Sequence, residues 1–443
     1  MEIREIQGYD AAVIGGGLAG LIAAIELAKA GRSVVVLEKS SHVGGRAITI
    51  NKHGTLFNLG GHALYLGGEA NGILQEYGLK LEGKKPSSKG SAIWNNQVMS
   101  MPGDPMGLLT SPLLGWSGKA KLIKALGKMI KAKPATLPLM SLRAWAEGEI
   151  HDPMVRHIFY ALCRTATYTQ DPDFQRAGPV LKQVQRALKS GVKYLDGGWQ
   201  TIVDQLRDLA IQNGVSILMN KTIVDIMHDS GQVRGVLCKD GTLLEVPNVI
   251  STVSPADTYR MTKEAEKTIL KRWKDEARPS IAASLDLALK RLPVAKRDFA
   301  IGVDQPVFFS NHSRAAKLSE NGAIVVHLTK YNGQGEQDPK ADERMLEQTM
   351  SLLHPGWEKE VVSRQYLPNM TVVHDYPHLG RTEQNIGPIV PEIQGLYVAG
   401  DWVSHGEMLA DASAASARRA ARHIIGNQLE LGAPIKPLIA YAR

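Results

Sequence analysis

The sequence is poor in several features that mark particular classes of protein. Of its 443 residues only two are cysteines, Cys163 and Cys238, and only 6% are aromatic. Two cysteines exclude a disulfide framework and a thiolate zinc cluster, so we expect no metal site and a reducing compartment. No run of about 18 apolar residues is present, which excludes a spanning helix of that kind. The first strand-like segment begins near Tyr9, so we expect a cytoplasmic protein without a cleavable leader.

Charge and composition fit a folded protein of two or three domains. Lysine and arginine number 52 and aspartate and glutamate 44, so the net charge is 52 − 44 = +8. A basic chain suits an anionic partner such as nucleic acid, anionic lipid or an anionic cofactor. The sequence has no zinc knuckle and no aromatic-rich ribonucleoprotein strand, so we expect no nucleic-acid partner.

A glycine-rich turn near the N-terminus has the clearest local pattern. An apolar strand-like run ends in Gly15-Gly-Gly-Leu-Ala-Gly20, a helix-like run follows, and a second strand-like run ends at Glu38. Gly15 permits a tight turn, Gly17 lets the backbone approach a pyrophosphate, and Gly20 allows close packing of helix on strand. The helix N-terminus offers N–H groups to phosphates, and an acid at 38 suits ribose hydroxyls and disfavours NADP. We therefore predict a dinucleotide site that includes Gly15, Gly17, Leu18, Ala19, Gly20 and Glu38.

The string that follows Glu38 separates FAD from NAD. It runs Lys39-Ser-Ser-His-Val-Gly44-Gly45-Arg46, and Leu59-Gly60-Gly61-His62 comes next. It resembles the element after the dinucleotide fold in flavin amine oxidases, protoporphyrinogen oxidases and phytoene desaturases. The resemblance implies that Arg46 bridges the pyrophosphate while Gly44 and Gly45 let the chain pass close by. It also assigns to the flavin site Lys39, Gly60, Gly61 and His62.

A second motif lies near the C-terminus. A strand-like run ends at Gly400-Asp401, and an alanine-rich helix-like run begins after Asp411-Ala412-Ser413. This resembles the C-terminal flavin motif of the same superfamily. The resemblance implies that Gly400 and Asp401 contact the pyrophosphate and ribityl chain. It places Asp411, Ala412 and Ser413 at a helix head facing flavin N1 and O2.

A third fragment of short strand-like runs lies between 214 and 252. It resembles the middle portion of the FAD domain of the same superfamily. The resemblance implies that the backbone of Ile223 lies against the adenine.

In order and spacing, these fragments resemble the flavin amine oxidase superfamily. The resemblance implies an α/β fold, with a Rossmann-like FAD-binding domain of the glutathione reductase type and a mixed α+β substrate-binding domain. We predict that 1–85, 195–275 and 385–430 form the discontinuous FAD-binding domain, and that 86–194 and 276–384 form the substrate-binding domain. FAD should be non-covalent, since no cysteine lies near Gly400.

The resemblance also implies an FAD-dependent oxidoreductase in which flavin N5 takes a hydride from the substrate. A hydrophobic substrate, porphyrinogen-like or polyene, is favoured, with oxygen or a quinone as electron acceptor. The run Ser280–Leu289 lacks the lysine of many amine oxidases, which weakens but leaves open an amine or amino-acid oxidase. A non-catalytic flavin-binding protein is the remaining alternative. Candidate polar groups near the substrate are His62, His405, Arg164, Tyr168 and Arg381.

Residues 118–133 predict a helix that is basic on one side and apolar on another. Such a helix suits a membrane interface, although a surface helix packed on the protein core has the same spacing. We therefore keep peripheral membrane contact as a hypothesis for this segment. Its lysines are Lys119, Lys121, Lys124, Lys128, Lys131 and Lys133, and its apolar positions are Leu122, Ile123, Leu126, Met129 and Ile130.

Overall fold

A computed structural model of the chain describes residues 4–6, 8–87, 89–335 and 337–430. The first three residues of the predicted FAD-binding domain therefore lie outside the described part. Twelve helices occur in the described ranges: α1 (Leu18–Lys29), α2 (Glu69–Glu76), α3 (Pro105–Thr110), α4 (Trp116–Lys131), α5 (Leu142–Glu149), α6 (Pro153–Thr167), α7 (Ala177–Ser190), α8 (Gln200–Gln212), α9 (Pro255–Arg260), α10 (Ile269–Glu276), α11 (Pro339–Leu353) and α12 (Leu409–Glu430).

The strands are distributed along the whole of the described chain. They are β1 (Arg4–Ile6), β2 (Ala11–Ile14), β3 (Val34–Leu37), β4 (Thr49–Lys52), β5 (Thr55–Asn58), β6 (Leu64–Tyr65), β7 (Gly83–Lys84), β8 (Ser91–Trp94), β9 (Gln97–Ser100), β10 (Val192–Leu195), β11 (Ser216–Leu218), β12 (Ile223–Asp229), β13 (Gln232–Cys238), β14 (Thr242–Glu245), β15 (Val249–Ser251), β16 (Ser280–Leu289), β17 (Phe299–Gly302), β18 (Val307–Asn311), β19 (Ile324–Asn332), β20 (Val361–Val373) and β21 (Leu396–Val398).

A five-stranded parallel sheet holds the motifs together, in the order β11-β3-β2-β15-β21. Strands β2 and β3 are buried along their whole length, as expected when both faces of a parallel sheet are covered. One face is covered by α1, α8 and α12, whose apolar side chains share a core cluster with the sheet. Ligands of such sheets bind at the carboxyl ends of the strands. Gly15 follows β2 at that edge and Glu38 follows β3.

A second, mostly antiparallel sheet of seven strands lies in the order β20-β16-β19-β18-β17-β8-β9. All of its strands come from 91–100 and 280–373. Helices α3 to α7 lie in the chain segment between β9 and β10. The sheets and helices confirm the predicted α/β class. The predicted domain boundaries remain predictions.

In helix α4 the apolar side chains do not form the single face that we expected for residues 118–133. Leu122 and Met129 are buried in a core cluster with α6 and α7, whereas Ile123 and Ile130 are exposed. Lys119 is also buried, and its Nζ donates to the Leu109 carbonyl at 2.7 Å. The broad apolar stripe is therefore divided between the core and the surface. Within the described ranges no helix combines the length and the apolar character that crossing a membrane would require.

The closest packing in the glycine turn lies between Gly20 and Gly15. A Cβ added at Gly20 would overlap the carbonyl oxygen of Gly15, and backbone atoms cannot yield as a flexible side chain does. We expect Gly20→Ala to lower the free energy of unfolding by about 1–3 kcal/mol, as overpacking usually does. Urea titration followed by circular dichroism measures this.

The matched control is Gly72→Ala in the interior of α2, where an added Cβ meets no atom within 4 Å. This substitution should raise the free energy of unfolding by about 0.5–1 kcal/mol, because alanine costs less backbone entropy in a helix. Equal effects of the two substitutions would contradict the packing described for Gly20.

Candidate functional site

A cavity of about 630 Å³ opens at the carboxyl ends of the parallel strands. This size lies in the range usual for small-molecule and cofactor pockets. Both sequence motifs and parts of the second sheet contribute to its wall. The predicted site residues that line it are Gly15, Gly17, Leu18, Ala19, Glu38, Lys39, Gly44, Gly45, Arg46, Gly61, His62, Tyr168, Gly400, Asp401, Asp411 and Ser413.

In one part of the cavity wall, hydrogen bonds connect Glu38 to the glycine turn. The buried Glu38 carboxylate accepts from the backbone N–H of Gly16 and of Ser40, both at 2.8 Å. Gly44 N–H donates to the Gly16 carbonyl at 2.8 Å, so the Gly44-Gly45 segment lies against the turn. Two separate sequence strings thereby form one continuous wall.

Arg46 and Asp401 form an ion pair in the cavity wall, with a distance of 3.0 Å. Arg46 Nη1 also donates to the Val372 carbonyl at 2.8 Å. Asp401 accepts from His374 N–H at 2.8 Å, and its other oxygen lies 3.0 Å from His374 Nδ1. Burial opposes the Asp401 charge, but Arg46 and His374 outweigh it and hold the pKa of this carboxyl well below its usual range. The carboxylate is therefore ionised at neutral pH.

A second buried ion pair lies at the head of α12. Asp411 bonds Arg186 of α7 at 2.5 Å and accepts from Ala70 N–H of α2 at 2.9 Å. Burial raises the pKa of Asp411, and Arg186 offsets part of that rise. This contact fastens α2 and α7 to the first turn of α12 beside the cavity.

A further part of the cavity wall is formed around Gly61. Tyr168 donates its hydroxyl to the Gly61 carbonyl at 2.7 Å, and His62 Nδ1 lies 2.9 Å from the Gly60 carbonyl. Burial raises the pKa of Tyr168 well above its usual value, so the phenol stays protonated. Burial also lowers the pKa of His62, and the contact with Gly60 offsets only part of that, so its imidazole is neutral at pH 7.

The structure places other predicted residues outside the cavity wall. Arg164 Nη2 donates to the carbonyls of Gly302 and Gln305, and the buried Arg381 pairs with Asp375. His405 is exposed, with Nε2 2.9 Å from the Gly387 carbonyl. These three side chains are committed to other contacts, which local sequence could not reveal. Also outside the wall are Gly20, Gly60, Ile223 and Ala412.

Several residues of the wall carried no recognisable sequence signal. Five consecutive or nearly consecutive positions of β20 lie along the cavity, and His374 follows them. No local pattern in the sequence marks this stretch, because its place beside the cavity depends on the pairing of β20 with β16. Thr252 follows β15 at the carboxyl edge of the parallel sheet, which was a usable signal. The β20 residues are Leu367, Pro368, Met370, Thr371 and Val372.

A buried polar network supports Gly61 from behind. His327 bonds Asp286 through Nδ1 and lies 2.6 Å from Thr329 Oγ1 through Nε2. Gln365 donates to Asp286 at 3.1 Å. A Cβ at Gly61 would overlap the His327 ring, so only glycine fits there. No local sequence pattern marks this network, because its members come from three strands.

Comparison with known proteins identifies the family. The model of the family described as flavin containing amine oxidoreductase matches residues 18–285. The chain therefore belongs to this family, which confirms the resemblance noted in the sequence and implies a flavin cofactor and an oxidoreductase.

Curated relatives share parts of the chain. Phytoene desaturase (neurosporene-forming) of Rhodobacter capsulatus is 25% identical over 302 residues, which are 60% of this chain and 56% of that protein. Protoporphyrinogen oxidase 2, chloroplastic/mitochondrial, of Arabidopsis thaliana is 28% identical over 125 residues, 28% of this chain and 25% of that protein. The chain thus spans about half or less of the length of these relatives.

Solved structures share the fold over nearly the whole chain. An oxidoreductase from Methanosarcina mazei has a TM-score of 0.77 at 20% identity, covering 94% of this chain and 100% of that one. Putrescine oxidase with bound putrescine has a TM-score of 0.71 at 16% identity, covering 96% and 100%. At these identities the likeness concerns the fold alone.

The residues at the glycine-turn end fit the phosphate-bearing part of a flavin. A Cβ at Gly17 would meet only the Gly44 carbonyl, at 4.0 Å, so the backbone there is open. Within the described residues no side chain caps the start of α1, and Leu18 and Ala19 line the cavity. In the same part of the chain Arg46 uses only Nη1, which leaves Nε and Nη2 to donate to a phosphate. The accessible backbone at Gly17, the uncapped start of α1 and the remaining donors of Arg46 together suit a bound anion.

The depressed pKa of Asp401 predicts how stability depends on pH. Its pKa is lower in the folded chain than in the unfolded one, at about 3.9. The Asp401 contribution is therefore complete above about pH 5 and is lost as pH falls through 4 and below. We expect Asp401→Asn to reduce the free energy of unfolding by about 2–3 kcal/mol at pH 7, with a difference that shrinks below pH 4. Urea titrations at a series of pH values measure it.

Asp240→Asn is the matched control, because the Asp240–Lys221 pair lies at the surface. An exposed pair contributes at most about 1 kcal/mol. A difference between wild type and Asp401→Asn that is the same at pH 7 and pH 3 would contradict the buried, ionised Asp401.

Proposed function

We propose that this chain is an FAD-dependent oxidoreductase that dehydrogenates a hydrophobic substrate, porphyrinogen-like or polyene, with FAD held without a covalent bond. The observation that carries the proposal is the mixed chemistry of one cavity wall. Glu38, Arg46 and the open glycine turn belong to the same wall as a set of apolar and aromatic side chains. The apolar and aromatic residues include Leu59, Leu64, Tyr65, Tyr168, Trp199, Leu367 and Met370.

Glu38 and Arg46 support the dinucleotide form of the flavin. In a complex with FAD, the Glu38 carboxylate would exchange or share its backbone contacts with ribose hydroxyls, and Arg46 would contact the pyrophosphate. The two cysteines, Cys163 and Cys238, are buried outside the cavity wall, which supports a non-covalent cofactor. When bound, a flavin would take a hydride from the substrate and later reduce oxygen or a quinone.

The carboxylates of the wall favour a neutral, hydrophobic substrate over an amine. Three of the four carboxylates pair with an arginine: Asp257 with Arg260, Asp401 with Arg46, and Asp411 with Arg186. The fourth, Glu38, accepts from the backbone N–H groups of Gly16 and Ser40. A cationic amine would therefore find no unpaired carboxylate there, and burying an unpaired charge is costly.

The side chains around Gly61 suit positioning more than proton abstraction. Tyr168 is protonated and uses its hydroxyl to hold the Gly61 carbonyl, so it orients the chain beneath the substrate. Neutral His62 donates through Nδ1 to Gly60, which leaves Nε2 able to accept a proton. Dehydrogenation removes a hydride, which a bound flavin would take, and a proton, which would pass to His62 Nε2 or to solvent. Beyond that proton acceptor, the protein mainly has to orient the substrate.

An amine or amino-acid oxidase is the second candidate. The aromatic side chains of Tyr65, Tyr168 and Trp199 line the cavity, and aromatic faces attract organic cations. The third candidate is a flavin-binding protein that catalyses no reaction. This candidate requires that no substrate reduces the cofactor.

Anaerobic bleaching of the flavin absorbance distinguishes the three candidates. Dispersed polyenes and porphyrinogens are compared with a panel of amines and amino acids, and dithionite confirms that the flavin is reducible. We expect bleaching by a polyene or porphyrinogen and none by the amines. Bleaching by amines alone, with peroxide on admission of air, would replace the proposal by the amine oxidase. A dithionite-reducible flavin that no substrate bleaches would favour the non-catalytic protein.

Tyr168→Phe tests whether the wall around Gly61 contributes to the reaction with substrate. Losing one hydrogen bond of about 1 kcal/mol should slow bleaching roughly fivefold. Tyr331→Phe is the matched control, since Tyr331 packs edge-on against Tyr168 but lies outside the wall. Equal rates for both variants would remove Tyr168 from the proposed site.

A further inference from the structure

We propose that the outer face of α3 and α4 docks on an anionic lipid surface. This outer face comprises the exposed apolar side chains of Met106, Leu109, Trp116, Ile123 and Ile130, with Lys124 and Lys131 beside them. The inference goes beyond the proposed function and does not depend on it.

The exposed apolar residues of α4 form a row along one side of the helix. Trp116, Ile123 and Ile130 are spaced seven residues apart, which is two helical turns, so they share a face. They are 75%, 57% and 59% exposed. The core is instead filled by Leu122, Ala125 and Met129 on the opposite side. The row is thus separate from the residues that attach α4 to the protein.

Helix α3 extends the same apolar surface. Lys119 Nζ donates to the Leu109 carbonyl and lies 4.9 Å from the centre of the Trp116 ring. This buried lysine fixes the end of α3 beside the start of α4. Met106 and Leu109 of α3 are 65% and 56% exposed. Five large apolar side chains therefore face solvent on two adjoining helices, and such clustering is a mark of an interaction surface.

The charge around this face selects the kind of partner. Residues 105–146 contain six lysines and one arginine and no acidic residue. Lys121 pairs with Asp152 and Lys128 with Glu149, so these two lysines are neutralised by the protein itself. Lys124 and Lys131 are exposed and form no ion pair within the described residues. On the helix they lie next to the apolar row, where they would meet anionic headgroups as the row enters the interface.

A second copy of the chain fits this face less well. A two-fold interface places the same surface on both partners, so the lysines of one copy would face those of the other. An anionic bilayer supplies both a complementary charge and an apolar layer, and is therefore the partner that we propose.

Sedimentation of the full-length protein with lipid vesicles tests the proposal. Vesicles of phosphatidylcholine alone are compared with vesicles that also contain phosphatidylglycerol. We expect binding to the mixed vesicles that weakens with salt, and a blue shift of the tryptophan emission that Trp116→Phe abolishes. Lys124→Glu with Lys131→Glu should lower the partition coefficient at least roughly 30-fold, from the usual contribution of each lysine. Ile123→Ser with Ile130→Ser should abolish the blue shift.

Matched controls change the same kinds of residue elsewhere. Lys80→Glu with Lys290→Glu alters the net charge equally, and Ile211→Ser with Val224→Ser removes two other exposed apolar side chains. Both controls should bind vesicles as the wild type does. Circular dichroism of every variant checks that it is folded.

Three results would overturn the proposal. They are no binding to anionic vesicles at low salt, equal binding by the outer-face and control variants, and binding without a blue shift from Trp116. Concentration-dependent dimerisation that Ile123→Ser with Ile130→Ser abolishes, without vesicle binding, would instead assign the face to a second copy.

Discussion

The cavity depends on an ion pair between residues that are far apart in sequence. Arg46 follows the first glycine motif, Asp401 lies just after the last strand of the parallel sheet, and the two side chains bond at 3.0 Å. Arg46 also bonds the Val372 carbonyl, and Asp401 accepts from His374 N–H, so the second sheet joins at the same point. One buried carboxylate thus connects the N-terminal motif, the C-terminal motif and β20. Because an unpaired buried charge is costly, the pair holds all three in one arrangement.

Fixing the wall in this way also determines its chemistry. Beside the glycine turn, the backbone of Gly17 is accessible, and Arg46 has guanidinium N–H groups that form no other hydrogen bond within the described residues. Both features suit an anion. The carboxylates elsewhere are already bonded, and apolar side chains line the cavity together with Gly61 and part of β20. Tyr168, His62 and the Asp286–His327 network hold Gly61 close to the cavity. The same wall therefore offers both groups that suit an anion and apolar contact.

Local motifs made much of the glycine-turn part of the wall predictable, because a glycine turn, a strand and an acid at fixed spacing determine their own geometry. The strand Ser280–Leu289 was likewise visible as an apolar run and is β16. Long-range pairing could not be read from the chain. The β20 residues line the cavity only through their register with β16, and the commitments of Arg164 and Arg381 depend on distant partners. In α4, Leu122 is buried and Ile123 is exposed, and this difference depends on how α6 and α7 pack against the helix.

The measurement that tests the account most directly is the identification of the flavin carried by the purified protein. Heat or acid denaturation followed by chromatography and mass determination of the supernatant shows which flavin is released and whether any stays on the polypeptide. The account predicts intact FAD in the supernatant, close to one per chain, and no flavin on the protein. A colourless protein that gains no flavin absorbance with added FAD would contradict it. Release of FMN alone would contradict the adenine end assigned to Glu38, and flavin attached to the polypeptide would contradict non-covalent binding.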